Sequence, residues 1–461
     1  MEPTQPTMGG LREMLAIALP MVVSQACETV MVFTDRLFLS RLSPIPMSAA
    51  MAGGLTSFVA MTFFIGLCGY VTALAAQYLG AGKKDHCAVV LSQAALIALV
   101  ATPLVLLLRP LVHDLFRLIG TPTAQIPMQQ GYFDILLFGT PLVLLRTSLA
   151  GFFSGIGRTR IVMFAALTAI MINVIANYSL IYGHFGLPAL GLRGAAYGTL
   201  FGSFCALAIL LTAYLQKSNK AEFSVARSLR FDRETMGKLL RYGSPAGLEM
   251  FLTLLAFNLI ILVFQSHGLV TAAAITIVFN WDMVSFVPLL GIQIGVVSLV
   301  GRYMGYGRPD IAERAAHSAL KMSFAYSGTI LVLFVTFPRQ LVEVFQPWAV
   351  DPIYLQAAPL AVGMLRLAAL YVLADAMMVV FSGVLRGAGD TLWAMGLSVT
   401  LHWLLVAAVV LFLKVLDLPP KVAWLALIVF FLTFCSLFYL RYRGGKWKSL
   451  AVVQGSPPTA G

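Results

Sequence analysis

The sequence predicts an all-α polytopic membrane protein, with twelve transmembrane helices in two six-helix lobes related by a parallel internal repeat. The first observation is composition: the 461 residues are 59% hydrophobic and only 11% charged. A soluble globular domain has roughly 45–50% apolar and about 25% charged residues. This composition excludes an ordinary soluble enzyme, a disordered chain and a disulfide-stabilised scaffold. The second and third observations are twelve hydrophobic segments and a set of recurring landmarks.

Each hydrophobic segment is long enough to cross a bilayer, which takes about 20 residues. The predicted segments are 13–39, 48–76, 88–108, 130–153, 160–183, 193–216, 240–265, 271–300, 316–337, 355–385, 391–414 and 421–440. We assign helix to all of them because, apart from a closed barrel, only helices satisfy their own backbone groups in lipid. The first segment is longer than a signal-peptide core of about 7–15 residues, so we expect it to be retained.

A polar stretch near the middle divides the chain. We predict an N-terminal six-helix lobe at 1–216, a cytoplasmic linker at 217–240, a C-terminal six-helix lobe at 241–440 and a cytoplasmic tail at 441–461.

The two halves repeat. Pro20 matches Pro245 and segment 77–85 matches 302–310, both at an offset of 225 residues. At an offset of 232, Gly151, Gly155, Gly157 and Thr159 match Gly383, Gly387, Gly389 and Thr391. Since six helices precede the second half, both lobes start on the same side of the membrane and the repeat is parallel. Transporters often bind their substrate between such halves.

Basic residues account for the net charge of +12 and follow every second hydrophobic segment. They include Lys83, Lys84, Arg158, Arg160, Arg302, Arg308, Arg314, Arg441, Arg443, Lys446, Lys448 and the basic residues of 217–241. Cytoplasmic loops carry such an excess, so we predict a multi-pass inner-membrane protein with both termini in the cytoplasm. The partner that this charge indicates is the lipid bilayer, and we expect no nucleic acid.

Signatures of enzymes and resident cofactors are missing from the sequence. The five cysteines form no CxxC pair, and the six histidines have no ligand spacing. Segment 80–84 lacks the spacing and the final Ser or Thr of a phosphate-binding loop. We therefore expect neither an enzyme nor a cofactor.

Five carboxylates fall inside the hydrophobic segments: Glu28, Asp35, Glu249, Asp282 and Asp375. Each costs about 2.5–3.5 kcal/mol near the bilayer centre, so five would cost about 12–17 kcal/mol if left in lipid. The net stability of a protein is about 5–15 kcal/mol. We therefore expect them to face an interior cavity and to function there. Alternatively, Glu28 and Asp282 lie near the interface and extend toward water.

Glu28 and Asp35 are seven residues apart, which places them on one face of the first helix. Arg36 is adjacent to Asp35 in sequence, and adjacent helical residues do not face each other. Arg146 is the main cation expected at comparable depth. An acidic interior attracts cations, which indicates organic cations, H⁺ or Na⁺ as transported species.

Asn173 and Asn177 are four residues apart on one face of the fifth helix. Their carbonyl oxygens are hard ligands of the kind that small hard cations favour. With Asp35 they are a candidate site for Na⁺ or H⁺. Alternatively, the two asparagines only hydrogen bond to neighbouring helices, as polar side chains do in membranes.

Several segments resemble the multidrug and toxic compound extrusion (MATE) family, in order along nearly the whole chain. They are 20–25 with FTDRLFL at 33–39, NVIANYSLIYG at 173–183, LGLRGAAYGT at 190–199, GSPAGLE at 243–249, and ADAMMVVFSGVLRGAGDT at 374–391.

The resemblance implies a V-shaped antiporter that exports organic cations or other xenobiotics while H⁺ or Na⁺ enters. The cation-coupling residues it implies are Asp35, Asn173, Asn177 and Thr199 in the N-terminal lobe, and Glu249 and Asp375 in the C-terminal lobe. To the substrate cavity we assign Glu28, Thr253 and Asp282. A bound Na⁺ would lie on Asp35, Asn173 and Asn177. We expect a monomer.

The sequence departs from the family pattern at three positions. Asn177 stands where some members carry Asp, Thr253 stands where some carry Glu, and Arg36 beside Asp35 is unusual. The alternatives are a flippase for lipid-linked saccharides from the same superfamily, an integral membrane transferase and a major-facilitator transporter. A flippase needs a more basic cavity for pyrophosphate, a transferase needs paired acidic metal motifs, and segment 77–85 differs from the major-facilitator loop signature.

Overall fold

The computed structural model describes residues 8–42, 44–118, 125–346, 352–450 and 452–453, and within these ranges the regular structure is helical. The N-terminal lobe contains α1 (Leu11–Ser40), α2 (Pro44–Gly69), α3 (Val71–Gly80), α4 (Lys84–Leu106), α5 (Arg109–Leu118), α6 (Ile126–Phe138), α7 (Thr140–Gly155), α8 (Thr159–Tyr182) and α9 (Leu192–Tyr214). Two short helices follow, α10 (Lys217–Glu222) and α11 (Val225–Ser228).

The C-terminal lobe contains α12 (Arg233–Gln265), α13 (Leu269–Gly305), α14 (Pro309–Thr336), α15 (Pro338–Glu343), α16 (Pro352–Ala388), α17 (Thr391–Val410) and α18 (Pro420–Arg443). A π-helical turn, Leu411–Val415, continues α17, and a 3₁₀ turn, Lys446–Ser449, follows α18.

The number of membrane crossings agrees with the sequence prediction. Among the described residues, eleven helical spans are long and apolar enough to cross a bilayer, and α2 with α3 counts as one of them. The helices α6 and α7 form a further span that is bent by 46°. The bend lies at Gly139, where Pro141 at the start of α7 cannot donate a helical hydrogen bond. Counted as one broken span, this pair brings the total to twelve.

Several helices extend beyond the predicted hydrophobic segments. The helix α12 begins at Arg233, inside the segment predicted as linker, and α10 and α11 are helical there as well. Hydropathy reports only the part of a helix that lies in lipid. Polar turns beyond the bilayer are therefore missed.

The two lobes meet on the side of the bundle that carries the start of α1, the linker and the residues that follow α18, which we call the terminal side. Every second span ends there, so the turns after α3 and α13 lie together. A Cβ on Gly80 would collide with the carbonyl oxygen of Arg302, and a Cβ on Gly305 would collide with that of Gln77. These four residues form two matched pairs of the repeat. We call them the paired-turn contact.

Other inter-lobe contacts are equally close. Gln77 Nε2 donates to the carbonyl oxygen of Gly387 at 2.7 Å, and Ser298 Oγ donates to that of Ser154 at 2.6 Å. A Cβ on Gly295 would lie 2.8 Å from the Cβ of Ala18, so α1 and α13 pack with little side chain between them. Small residues allow this approach in membrane helices, where dispersion and hydrogen bonds replace the hydrophobic effect.

Replacing Gly305 by alanine is expected to destabilise the folded protein by about 1–3 kcal/mol, since the new methyl group meets backbone that cannot rotate away. Thermal unfolding of the purified protein in detergent measures the effect. The matched control is Gly328→Ala in α14, where a Cβ has no neighbour within 4 Å. Helix propensity predicts that this control is neutral or slightly stabilising. Equal melting temperatures for the two variants would contradict the tight contact.

The linker is attached to the N-terminal lobe by charge. Glu222 pairs with Lys84 at 3.0 Å and with Arg158 at 2.6 Å. The hydrogen bond from Lys84, helped by the charge of Arg158, lowers the pKa of the Glu222 carboxyl below its ordinary value. The carboxylate therefore stays ionised and holds the linker against α4 and α8.

Candidate cation-binding site

Glycines on α9 bring its backbone against α8. A Cβ on Gly198 would collide with Asn177 Oδ1, and a Cβ on Gly202 would lie 2.8 Å from the carbonyl oxygen of Ala169. The four-residue spacing of these glycines places them on one face of α9. The asparagines of α8 and Thr199 of α9 therefore point into the same narrow space.

Asp35 of α1 completes this site. Its carboxylate accepts a hydrogen bond from Asn177 Nδ2 and another from Thr199 Oγ1 at 2.9 Å. Asn177 Nδ2 also donates to Asn173 Oδ1 at 3.2 Å, and Asn173 Nδ2 donates to Thr199 Oγ1 at 3.4 Å. The structure therefore brings together all four residues that the resemblance implied for the N-terminal lobe.

The environment of Asp35 is buried and made of neutral polar groups. Asp35 is 7% exposed, and Asn173 and Asn177 are fully buried. Arg36 is exposed and lies outside the hydrogen-bond network of the carboxylate described above. Asn177 Oδ1 is buried and has no hydrogen-bond partner. The site thus offers a carboxylate that is solvated only by neutral donors, together with an unused amide oxygen.

A small recess lies next to the Asp35 site, toward the terminal side. Its lining residues come from α1, α7, α8 and α9: Cys27, Glu28, Met31, Arg146, Ala166, Ala169, Ile170 and Ser203. Ala169 lies one helical turn before Asn173, and Ser203 lies one turn after Thr199. The recess and the Asp35 site are therefore consecutive layers between the same helices.

An ion pair closes one wall of this recess. Arg146 Nη1 lies 2.8 Å from Glu28 Oε1, and the two side chains are 22% and 45% exposed. Arg146 thus occupies the depth that the sequence predicted. The pair leaves Asp35 as the carboxylate of this region that has no cationic partner in the described residues.

Replacing Arg146 by glutamine leaves Glu28 without its cation, so we expect a loss of about 1–2 kcal/mol in stability, because the pair is only partly exposed. The double variant Glu28→Gln/Arg146→Gln should recover most of that loss. If the recess takes the organic cation that the resemblance implies, the apparent KM for a monovalent cation should fall in Arg146→Gln and rise in Glu28→Gln. Additive losses in the double variant, or KM values that do not change, would mean that the pair is not coupled to the cavity.

The predicted carboxylates of the C-terminal lobe fall into two sets. Glu249 pairs with Arg386 at 3.0 Å, with side chains 7% and 27% exposed. Asp282 accepts a hydrogen bond from Tyr371 at 3.0 Å, and Asp375 lies one helical turn from Tyr371 on α16. The two predicted cation-coupling residues of this lobe therefore lie in different sets: Glu249 is in the ion pair, and Asp375 lies beside Tyr371 and Asp282.

Asp375 and Thr253 differ in what they offer a ligand. Asp375 Oδ1 is buried and without a hydrogen-bond partner. Thr253 Oγ1 donates to the carbonyl oxygen of Glu249 at 2.7 Å, a bond within its own helix. Asp375 therefore has an unused acceptor, while the hydroxyl hydrogen of Thr253 is already engaged.

Sequence reasoning missed two residues of this lobe, Arg386 and Tyr371. Arg386 follows the last residue of the predicted tenth segment, so its depth was not visible. Tyr371 precedes Asp375 by four residues, a spacing that could have been read as a shared helix face. In the described part of the chain, no three His, Cys, Asp or Glu side chains group as a metal centre would.

Comparison with known proteins identifies the family. The MatE family model matches residues 20–179 and again residues 245–412, which is more than half of the chain. This chain belongs to the MatE family. The two matches begin at Pro20 and Pro245, the paired prolines of the internal repeat. The MATE family consists of transporters, so the resemblance seen in the sequence is confirmed.

Curated relatives cover most of this MATE transporter. It is 30% identical over 406 residues to a protein named probable multidrug resistance protein NorM, from Shewanella oneidensis, covering 85% of this chain and 84% of the relative. It is 26% identical over 398 residues to multidrug resistance protein MdtK from Edwardsiella ictaluri, covering 86% of this chain and 85% of the relative.

Solved structures show the same fold. A multidrug resistance MATE family transporter in an outward-facing conformation matches with a TM-score of 0.87 at 19% identity, over 98% of this chain and all of that chain. A MOP superfamily transporter from Pyrococcus furiosus matches with a TM-score of 0.86 at 19% identity, over 95% of this chain and 97% of that chain. The MATE fold therefore extends over nearly the whole sequence.

Proposed function

We propose that this protein is an antiporter that exports organic cations or other xenobiotics, driven by entry of H⁺ or Na⁺, through alternating access between its two lobes. The observation that carries the proposal is Asp35, a buried carboxylate held by Asn177 and Thr199 beside the recess at Glu28. The names of the NorM and MdtK relatives support multidrug export.

The coupling follows from charge. An ionised Asp35 makes the region attractive to an organic cation, because the other nearby carboxylate, Glu28, is paired with Arg146. Binding of H⁺ or Na⁺ to Asp35 cancels this charge and weakens the hold on the substrate. The two cations therefore compete, and each leaves the site when the other arrives from the opposite side.

The two candidate coupling ions require different geometries at Asp35. A proton needs only a carboxylate oxygen, which Asp35 offers directly. Na⁺ needs several oxygens, so the amide of Asn177 would have to rotate and present Oδ1 instead of the Nδ2 that now faces Asp35. That rotation gives up the hydrogen bonds from Nδ2 to Asp35 and to Asn173 Oδ1, so bonds from Na⁺ to the Asp35 carboxylate and the amide oxygens have to offset their loss. Both ions therefore remain within the proposal.

We place the terminal side in the cytoplasm, with both termini inside, the linker and tail cytoplasmic and the protein a monomer in the inner membrane. Basic residues on the terminal side support this orientation. The deep arginines Arg146 and Arg386 are each neutralised by a glutamate, so neither supplies the free positive charge that a pyrophosphate-linked saccharide would need. This supports an antiporter over a lipid-linked saccharide flippase.

The test is transport by the purified native chain in proteoliposomes loaded with a fluorescent organic cation. An inwardly directed H⁺ gradient and an inwardly directed Na⁺ gradient are imposed separately, with protein-free liposomes as the control. We expect efflux to be driven by at least one gradient and to be abolished by dissipating it. No transport under either gradient, with insertion verified, would overturn the proposal in favour of a flippase.

A further inference from the structure

The C-terminal segment turns back against the bundle after α18. Gly445 has a left-handed backbone with φ of 70°, which allows the chain to reverse directly after the helix. Trp447 is fully buried, stacks on Tyr442 with ring centroids 5.6 Å apart, and donates its indole N–H to the carbonyl oxygen of Tyr442 at 2.9 Å. The segment is therefore packed into the C-terminal lobe.

An ion pair fixes the next residue to the same lobe. Lys448 Nζ lies 2.7 Å from Glu313 Oε2 of α14, and the two side chains are 37% and 38% exposed. Trp447 and Lys448 thus attach the segment to two different helices of the C-terminal lobe, α18 and α14. From there the chain continues toward the other lobe.

Val452 and Val453 reach that other lobe. Both are 5% exposed and belong to the apolar cluster that also contains Leu67, Tyr70 and Val71 of the N-terminal lobe. Val452 lies against Gly389, in the turn between α16 and α17 of the C-terminal lobe. A Cβ at this glycine would also lie 3.7 Å from the hydroxyl of Tyr70. The two valines are therefore inserted where the lobes meet.

We propose that the described residues 445–450 and 452–453 form a strap across the terminal side, which holds the lobes together there and limits how often that side opens. The proposal rests on the alternating access proposed above. Separating the lobes at Tyr70 and Gly389 would remove the contacts of the valines with one of the two lobes and expose their side chains to water. Returning buried apolar side chains to water is unfavourable, so the docked strap stabilises the closed arrangement.

The test compares two truncations. A stop codon after Leu450 removes both valines, whereas a stop codon after Val453 keeps them and removes only 454–461. Spin labels at Lys83→Cys and Arg308→Cys, in the turns after α3 and α13, report the separation of the lobes by double electron–electron resonance. Cys205 is replaced by serine because the other four native cysteines are buried. The distances are measured in nanodiscs.

We expect removal of the valines to raise the population with a longer inter-label distance by about tenfold. The truncation that removes only 454–461 (the shorter truncation) should give the distance distribution of the full chain. The full-length variant Val452→Asp/Val453→Asp should give that of the truncation after Leu450 (the longer truncation). This point variant guards against an effect of truncation on folding. Identical distance distributions for the full chain, the longer truncation and the point variant would overturn the strap.

The proteoliposome assay on the same samples separates this result from the proposed antiport. A longer inter-label distance without the valines, together with no gradient-driven transport by the full chain, would support the strap and contradict the antiporter. Gradient-driven transport by the full chain, together with unchanged distances in the variants, would support the antiporter and contradict the strap. If both proposals hold, the longer truncation also changes the transport rate, while the shorter one does not.

Discussion

Replacing Asp35 by asparagine is expected to abolish gradient-driven efflux, with a loss of about a hundredfold or more in rate. The amide has nearly the same shape, but it cannot take up a proton and carries no charge to attract a cation. It also presents an N–H group to Asn177 Nδ2 or Thr199 Oγ1, which now donate to the carboxylate. Both coupling and substrate attraction are therefore removed by one substitution.

The measurement is the proteoliposome assay under the gradient that drives the native chain. The matched control is Asp417→Asn, the same chemical change at a side chain that is 90% exposed in a loop. We expect the control to transport at the native rate. Coupled efflux that survives Asp35→Asn would move the coupling role to the C-terminal lobe, where Asp375→Asn would be the next variant.

Replacing Arg386 by alanine is expected to destabilise the protein by about 3–5 kcal/mol, since Glu249 would remain buried and without its cation. The second variant, Glu249→Gln/Arg386→Ala, removes the unpaired charge and should recover more than half of the loss. Reversible unfolding in mixed micelles provides both free energies of unfolding.

A control with the same side chain is available at the surface. Arg308 lies 2.8 Å from Asp310, but the two side chains are 55% and 58% exposed. Arg308→Ala should therefore leave the free energy of unfolding close to that of the native chain. A loss for Arg386→Ala no larger than that of the control would show that the stability of the fold does not depend on the pair between Glu249 and Arg386.

Residue spacing was sufficient to predict the centre of the N-terminal site. Asp35 and the two asparagines stand out because polar groups are rare in apolar segments. An interval of seven residues places Asp35 on one helix face with Glu28, and an interval of four places the asparagines on another face. Thr199 does not stand out, since a threonine in lipid can satisfy its hydroxyl within its own helix. It was included only through the family resemblance.

Contacts between distant helices could not be predicted in the same way. Hydropathy places Glu249 in the membrane but does not indicate that Arg386 reaches it from the end of α16. The matched glycines of the repeat were visible in the sequence, but their close approach to Gln77 and Arg302 depends on how the lobes dock. The path of the C-terminal segment onto Tyr70 depends on tertiary packing as well.

The paired-turn contact has an electrical consequence. Backbone meets backbone at Gly80 and Gly305 with little room for water, so ions cannot leak between the lobes at that point. In the antiport proposed above, about 2.3 kcal/mol acts on each unit charge that crosses the bilayer per 100 mV, and a leak of ions at this contact would dissipate that energy. In the antiporter proposed above, this contact would keep ions from leaking between the lobes while a cation is bound at Asp35.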